Sequence, residues 1–90
     1  MCIRTRFDAR IPSGSTEQEF CERMATSIKR RLNAERVEVT MVACHLDRGD
    51  HGTSGDFEVQ VEPRAERVIV EHQIMMCNDA VCDSLFDAVA

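Results

Sequence analysis

Three groups of residues in this chain are of types that could do chemistry. Cys44, His45, Asp47, Asp50 and His51 fall close together, a mixed set of sulfur, nitrogen and oxygen donors of the sort that holds a metal ion. Their spacing fits no structural zinc pattern, and adjacent Cys44 and His45 on an extended strand point to opposite faces. The stretch reads as a glycine-rich polar loop, with no metal and no other cofactor expected. Cys77 and Cys82 could supply a thiol nucleophile, but that needs a neighbouring base. Cys82 falls on an apolar helix side, and His72 sits between Val70 and Ile74 as a structural strand histidine. With no nucleophile elbow, P-loop or HExxH motif present, no catalytic residues are assigned and the protein is expected not to be an enzyme.

The third group is cationic: Arg23, Lys29, Arg30 and Arg31 in one helical stretch, and Arg36 just beyond it. Guanidinium and ammonium groups grouped in this way suit phosphate oxygens, which fix position without reading sequence. They equally suit a solvated helix end whose charges complement the helix dipole. The two readings stay open at this level.

The elements that must position these groups follow from periodicity. Ile3 and Phe7 alternate with Arg4 and Arg6, giving a short strand with the arginines on its open face. Pro12, Ser13, Gly14 and Ser15 form a loop, and Thr16 with Glu19 gives a capping-box start. The helix it opens buries Phe20, Met24, Ile28 and Leu32. From Glu35 to Ile74 the pattern is that of a three-stranded meander: Val37, Val39, Met41 and Ala43; then Phe57, Val59 and Val61; then Val68, Ile69 and Val70. Glu38, Val42, Cys44, Glu58, Gln60, Glu62, Glu71 and Gln73 point the other way, making the open face acidic, with Arg4 and Arg6 pairing near Glu38. The segment Leu46–Gly55 reads as a long loop and Pro63–Glu66 as a turn. Met75 and Met76 precede a last helix that Asn78 caps and that buries Val81, Cys82, Leu85, Phe86 and Val89.

The chain has 90 residues and a formal net charge of −5, unevenly spread. Residues 1–37 carry eight Lys/Arg against five Asp/Glu, and residues 38–90 three against eleven. A general nucleic-acid binder is disfavoured by the total, whereas a local positive face is not. An open sheet without Tyr or Trp is a poor platform for stacking bases. Five cysteines without regular spacing point to free thiols in a reducing compartment. The absence of a leader pattern, of an apolar run of membrane length and of a lipidation motif leads to the expectation of one soluble cytoplasmic domain, residues 1–90, with no membrane partner.

Val37-x-Val39, Leu46-Asp47, Gly49, Gly52, Gly55-Asp56, Phe57-x-Val59-x-Val61 and Ala80-Val81-Cys82-Asp83 together resemble the ribosome hibernation promoting factors, also called ribosome-associated inhibitors or sigma-54 modulation proteins. The chain differs from that family's pattern at Asp79, where Tyr is common, and in stopping without a basic extension. The resemblance implies an α+β fold, β-α-β-β-β-α, related to the double-stranded-RNA-binding domain. Its four-stranded mixed sheet would carry both helices on one face, with the first two strands parallel. It implies a non-enzymatic translation inhibitor, active in ribosome hibernation under stress, that binds the small ribosomal subunit. Arg23, Lys29, Arg30, Arg31 and Arg36 would be its rRNA-binding residues. The alternative is a protein-interaction or assembly module of the same fold, with a homodimer among its expected partners, that does not bind RNA.

Overall fold

The alternation of Ile3, Thr5 and Phe7 with arginines forms β1 (Cys2–Asp8), and the Thr16-started segment forms α1 (Glu17–Ala34). β2 (Val39–Gly49), β3 (Gly52–Val61) and α2 (Arg67–Val89) follow. The structure is a computed structural model that describes residues 1–89, with side chains described through Asp87, so Val89 as a core residue lies outside the described side chains. β3 is central in the sheet order β1-β3-β2, and both of its neighbours run antiparallel to it.

The expected four-stranded mixed sheet is therefore corrected to a three-stranded antiparallel one. β1 and β2 point the same way but do not pair, because β3 lies between them. The expected fourth strand is helix. Val68, Ile69 and Val70 suggest a strand locally, yet Val70, Ile74, Cys77, Val81 and Leu85 lie at helical spacing along the whole segment, and all are buried. No glycine or proline interrupts residues 67–89, so one 23-residue helix buries the full stripe where a strand would bury only its first part. Val68 and Ile69 consequently stand in solvent at 76% and 45% exposure. His72 is exposed on this helix rather than set in a strand, and Met75 and Met76 lie within it, half-buried and exposed. Asn78 is no cap: it lies mid-helix, fully buried, and its Nδ2 donates to the Asp8 carbonyl at 2.7 Å.

The expected loop Leu46–Gly55 is also corrected. β2 and β3 continue toward each other through Asp47↔Ser54, Arg48↔Thr53 and Gly49↔Gly52, leaving Asp50 and His51 as the turn. Gly52 closes it at φ +125°, a conformation open to glycine. A bulge at Val42 reverses the facing of the rest of β2. Val39 and Met41 pack against the core as expected, but beyond the bulge Cys44 and Leu46 turn inward while Ala43 sits opposite Glu58.

α1 begins as its sequence indicates, with Thr16 Oγ1 accepting from the Glu19 N–H at 3.1 Å, and it buries Phe20, Met24, Ile28 and Leu32. Those side chains meet Ile3, Phe57, Val59 and Val61 of the sheet and the buried stripe of α2. The Phe57 ring lies 6.0 Å from Phe20 and 6.5 Å from Phe7, centroid to centroid. Gly55 makes room for it: a Cβ there would approach the Phe57 ring to 2.6 Å. Among the described residues no helix is long and apolar enough to cross a membrane. Gly55→Ala is expected to lower stability by about 1–3 kcal/mol through overpacking, read as a shifted urea midpoint at unchanged slope. An unshifted midpoint would show that the Phe57 ring is not confined.

Candidate functional site

The C-terminal half of α1 carries most of the cationic group. Its apolar stripe turns Lys29 and Arg30 to solvent and leaves Arg31 half-buried against α2. Arg31 donates to Gln73 Oε1 at 3.4 Å, and Arg23, about two turns earlier, donates to Ser84 Oγ at 3.1 Å and to Glu19 Oε1 at 3.3 Å. Arg23 and Arg30 line the shallow groove between the helices with Thr26, Ser27 and Ala80. Lys29 opens onto the other flank, beside Glu38 and Thr40. The five residues thus divide: Arg23 is tied to α2 and to a carboxylate, while Lys29, Arg30 and Arg31 share the helix end that leads to Arg36.

Arg36 is exposed in a left-handed conformation, φ 60°. The cause is the way α1 stops. Arg36 N–H bonds the Asn33 carbonyl at 3.0 Å and Val37 N–H the Leu32 carbonyl at 2.8 Å, a Schellman closure whose left-handed position usually holds glycine. Among the described residues Lys29, Arg30, Arg31 and Arg36, and also Arg10 and Arg48, have no carboxylate within ion-pair distance, whereas Arg4, Arg23, Arg64 and Arg67 each have one and Arg6 has two. Glu22 accepts from Gln18 Nε2 at 3.1 Å, while Glu35, which caps α1 beside Arg36, lines a shallow cavity with Arg36, Glu62 and Glu66 without reaching ion-pair distance.

The open sheet face is self-neutralised. Arg6 forks onto Asp56 at 2.6 and 2.8 Å and reaches Asp47 at 3.6 Å, and Arg4 meets Glu58 at 3.5 Å. The expected pairing near Glu38 fails because β3, not β2, lies beside β1. The Arg6 hydrogen bond holds the Asp56 carboxyl below its ordinary range, and the Cys2 thiol, donating at 3.1 Å, does the same for Glu58. His45 stands on this face with Nδ1 3.4 Å from Glu17.

Cys44 points inward and His45 outward, and among the described residues no three His, Cys, Asp or Glu side chains are grouped to hold a metal ion. All five cysteines are free. Burial pushes the thiols of Cys21, Cys44, Cys77 and Cys82 up, and the bond to Glu58 does so for Cys2, so no thiolate is favoured. The left-handed Arg36 and the buried Asn78 escaped the sequence reading. The helical spacing of Val70, Ile74, Cys77, Val81 and Leu85 carried the signal for Asn78, while no residue type marked Arg36. Comparison with family models, with curated proteins and with solved structures finds no match to this chain.

The carboxyls of Asp56 and Glu58 titrate lower folded than unfolded, so the stability they confer is complete above the ordinary carboxylate range and is lost as pH falls through their depressed values. Asp56→Asn is expected to flatten the fall in stability between about pH 5 and pH 3, measured by urea titration at each pH. A slope identical to that of the parent would remove the Arg6–Asp56 pair as its source.

Proposed function

We propose that this chain is a non-enzymatic, ribosome-associated domain of the hibernation-factor type. It sets the cationic end of α1 against phosphates of small-subunit rRNA and so acts in the cytoplasm as a translation inhibitor. The observation that carries the reading is the grouping of its unpaired cations: among the described residues Arg4, Arg6, Arg23, Arg64 and Arg67 meet carboxylates, while Lys29, Arg30, Arg31 and Arg36 gather without an ion pair at the end of α1, and the other two unpaired arginines, Arg10 and Arg48, lie outside that group. Guanidinium and ammonium groups outside any ion pair at one helix end remain open to phosphate oxygens. Arg36 adds a second support, since a bulky residue held where glycine is at ease costs stability and is retained most simply for its side chain. Contacts of this type read phosphate geometry, in keeping with an open sheet face that offers no aromatic ring to bases.

A second reading, an assembly module that does not bind RNA, draws on the apolar residues α2 leaves in solvent: Val68, Ile69, Met76 and Phe86. Cosedimentation with small ribosomal subunits separates the two. The first reading expects binding at low salt that weakens steeply as salt rises, and Lys29→Glu with Arg30→Glu abolishes it. Neutral replacements at the same two positions lower the log–log salt slope by about 1.5. No cosedimentation at low ionic strength would overturn it. Arg36→Gly is expected to raise stability by up to about 1 kcal/mol while weakening subunit binding, a split that no purely structural role for Arg36 produces.

A further inference from the structure

α1 lies along β2 by one flank. Arg48 Nη2 donates to the Ser15 carbonyl at 3.0 Å, His45 Nδ1 stands 3.4 Å from Glu17, and the Cys21 thiol donates to the Cys44 carbonyl at 3.1 Å. These contacts ascend the helix as they descend the strand, so they fix the register of one element on the other. The last of them sets two cysteines side by side. Their meeting depends on the bulge at Val42, since strict alternation from Val39 and Met41 would have turned Cys44 outward. With the bulge, Cys44 packs toward the core from β2 and Cys21 from α1, each half-buried.

A carbonyl oxygen lies about 2.4 Å from its own Cα, so Cys21 Sγ stands within about 5.5 Å of the Cys44 Cα, the atom from which the second thiol extends. The two thiols also sense each other. Burial pushes the Cys44 thiol up and the Cys21 thiol adds to this, whereas the rise that burial imposes on Cys21 is partly offset by Cys44. Cys21 is thus the readier of the two to give up its proton. The other thiols have different neighbours: Cys2 donates to Glu58, Cys77 lies beside Ser27, and Cys82 beside the Arg10 backbone.

We propose that Cys21 and Cys44 are a reversible oxidation site, joined by a low-molecular-weight disulfide such as oxidised glutathione into a bond that staples α1 to β2. The Cys21 thiolate attacks one sulfur of the oxidant, forming a mixed disulfide and releasing one small thiolate, which takes up the proton that Cys21 lost. Cys44 then gives its proton to solvent and attacks the Cys21 sulfur, and the second small thiolate leaves and is protonated in turn. The protein loses two protons and two electrons, and the oxidant is reduced to two small thiols. Linking residues 21 and 44 restricts the unfolded chain more than the folded one, so the native packing favours the bond. The inference is independent of the RNA reading, since it uses no residue of the cationic group.

The test incubates the intact protein with mixtures of reduced and oxidised glutathione, then quenches, unfolds and alkylates it and reads its peptides by mass spectrometry. Cys21 and Cys44 are expected to escape alkylation together, in one linked peptide pair, while Cys77 and Cys82 are alkylated. The equilibrium is expected to favour the link roughly tenfold more in native buffer than in concentrated urea. Cys44→Ser is expected to retain glutathione on Cys21, and Cys21→Ser to leave Cys44 unmodified. Full alkylation of both residues at every glutathione ratio, links to other cysteines or between two copies in their place, or equal formation in urea would overturn the proposal. Glutathione retained on Cys44 of the Cys21→Ser variant, with none on Cys21 of the other, would overturn the order of attack.

Discussion

The structure depends on one placement, Phe57 of the central strand seated above Gly55 and against Phe20 of α1. A three-stranded sheet with helices on one side has a single core layer, and its middle strand must carry most of it. β3 does so with Gly55, Phe57, Val59 and Val61, all buried. Only a glycine at 55 lets the ring lie flat over the strand end. That geometry aligns the Phe7–Phe57–Phe20 chain and brings α1 over the sheet rather than beside it.

The same central position governs the charges. Because β3 separates β1 from β2, its outward Asp56 and Glu58 face Arg6 and Arg4 directly, and the positive charge of β1 is spent within the sheet. Exposed ion pairs of this kind contribute little to stability, but they decide which cations remain available. Of the cations left without an ion pair among the described residues, the largest group lies at the end of α1, where Lys29, Arg30 and Arg31 also suit the negative end of the helix dipole. The solvated-helix reading and the phosphate reading therefore share these residues. Arg36 distinguishes them, since it stands past the helix, in a backbone conformation that the dipole does not reward.

Sequence periodicity conveyed β1, α1 with its Thr16 cap and the inward set of β3 with little loss, because each pattern is long enough to exclude the other period. It failed where two periods overlap. Val68, Ile69 and Val70 are β-branched and adjacent, and over so short a run a strand and a buried helix look alike. The deciding residues lie further along: by pattern alone Cys77 falls at a strand-to-helix junction just before Asn78, and Val81 and Leu85 in a separate helix. At Val42 a single extra residue reversed the facing of Ala43, Cys44 and Leu46, an event no alternation pattern can register. The cationic residues were legible as types. Their division into tied Arg23 and unpaired Lys29, Arg30 and Arg36 depends on where α2 and its Ser84 come to lie.

Converting the expected strand into helix has a consequence for every surface of the molecule. A fourth strand would have lengthened the sheet; a 23-residue helix instead crosses over a sheet of three strands, with more apolar perimeter than that sheet can cover. A small domain buries a modest share of its surface, so the excess must emerge somewhere. It emerges as Val68, Ile69, Met76 and Phe86 on α2, which a helix of 100° per residue sets on the solvent side, opposite the buried stripe of Val70, Ile74, Cys77, Val81 and Leu85. Single exposed apolar side chains need no explanation, and these four share their side of α2 with exposed His72, Asp79 and Asp83, so the excess is dispersed among polar groups rather than gathered into one continuous patch.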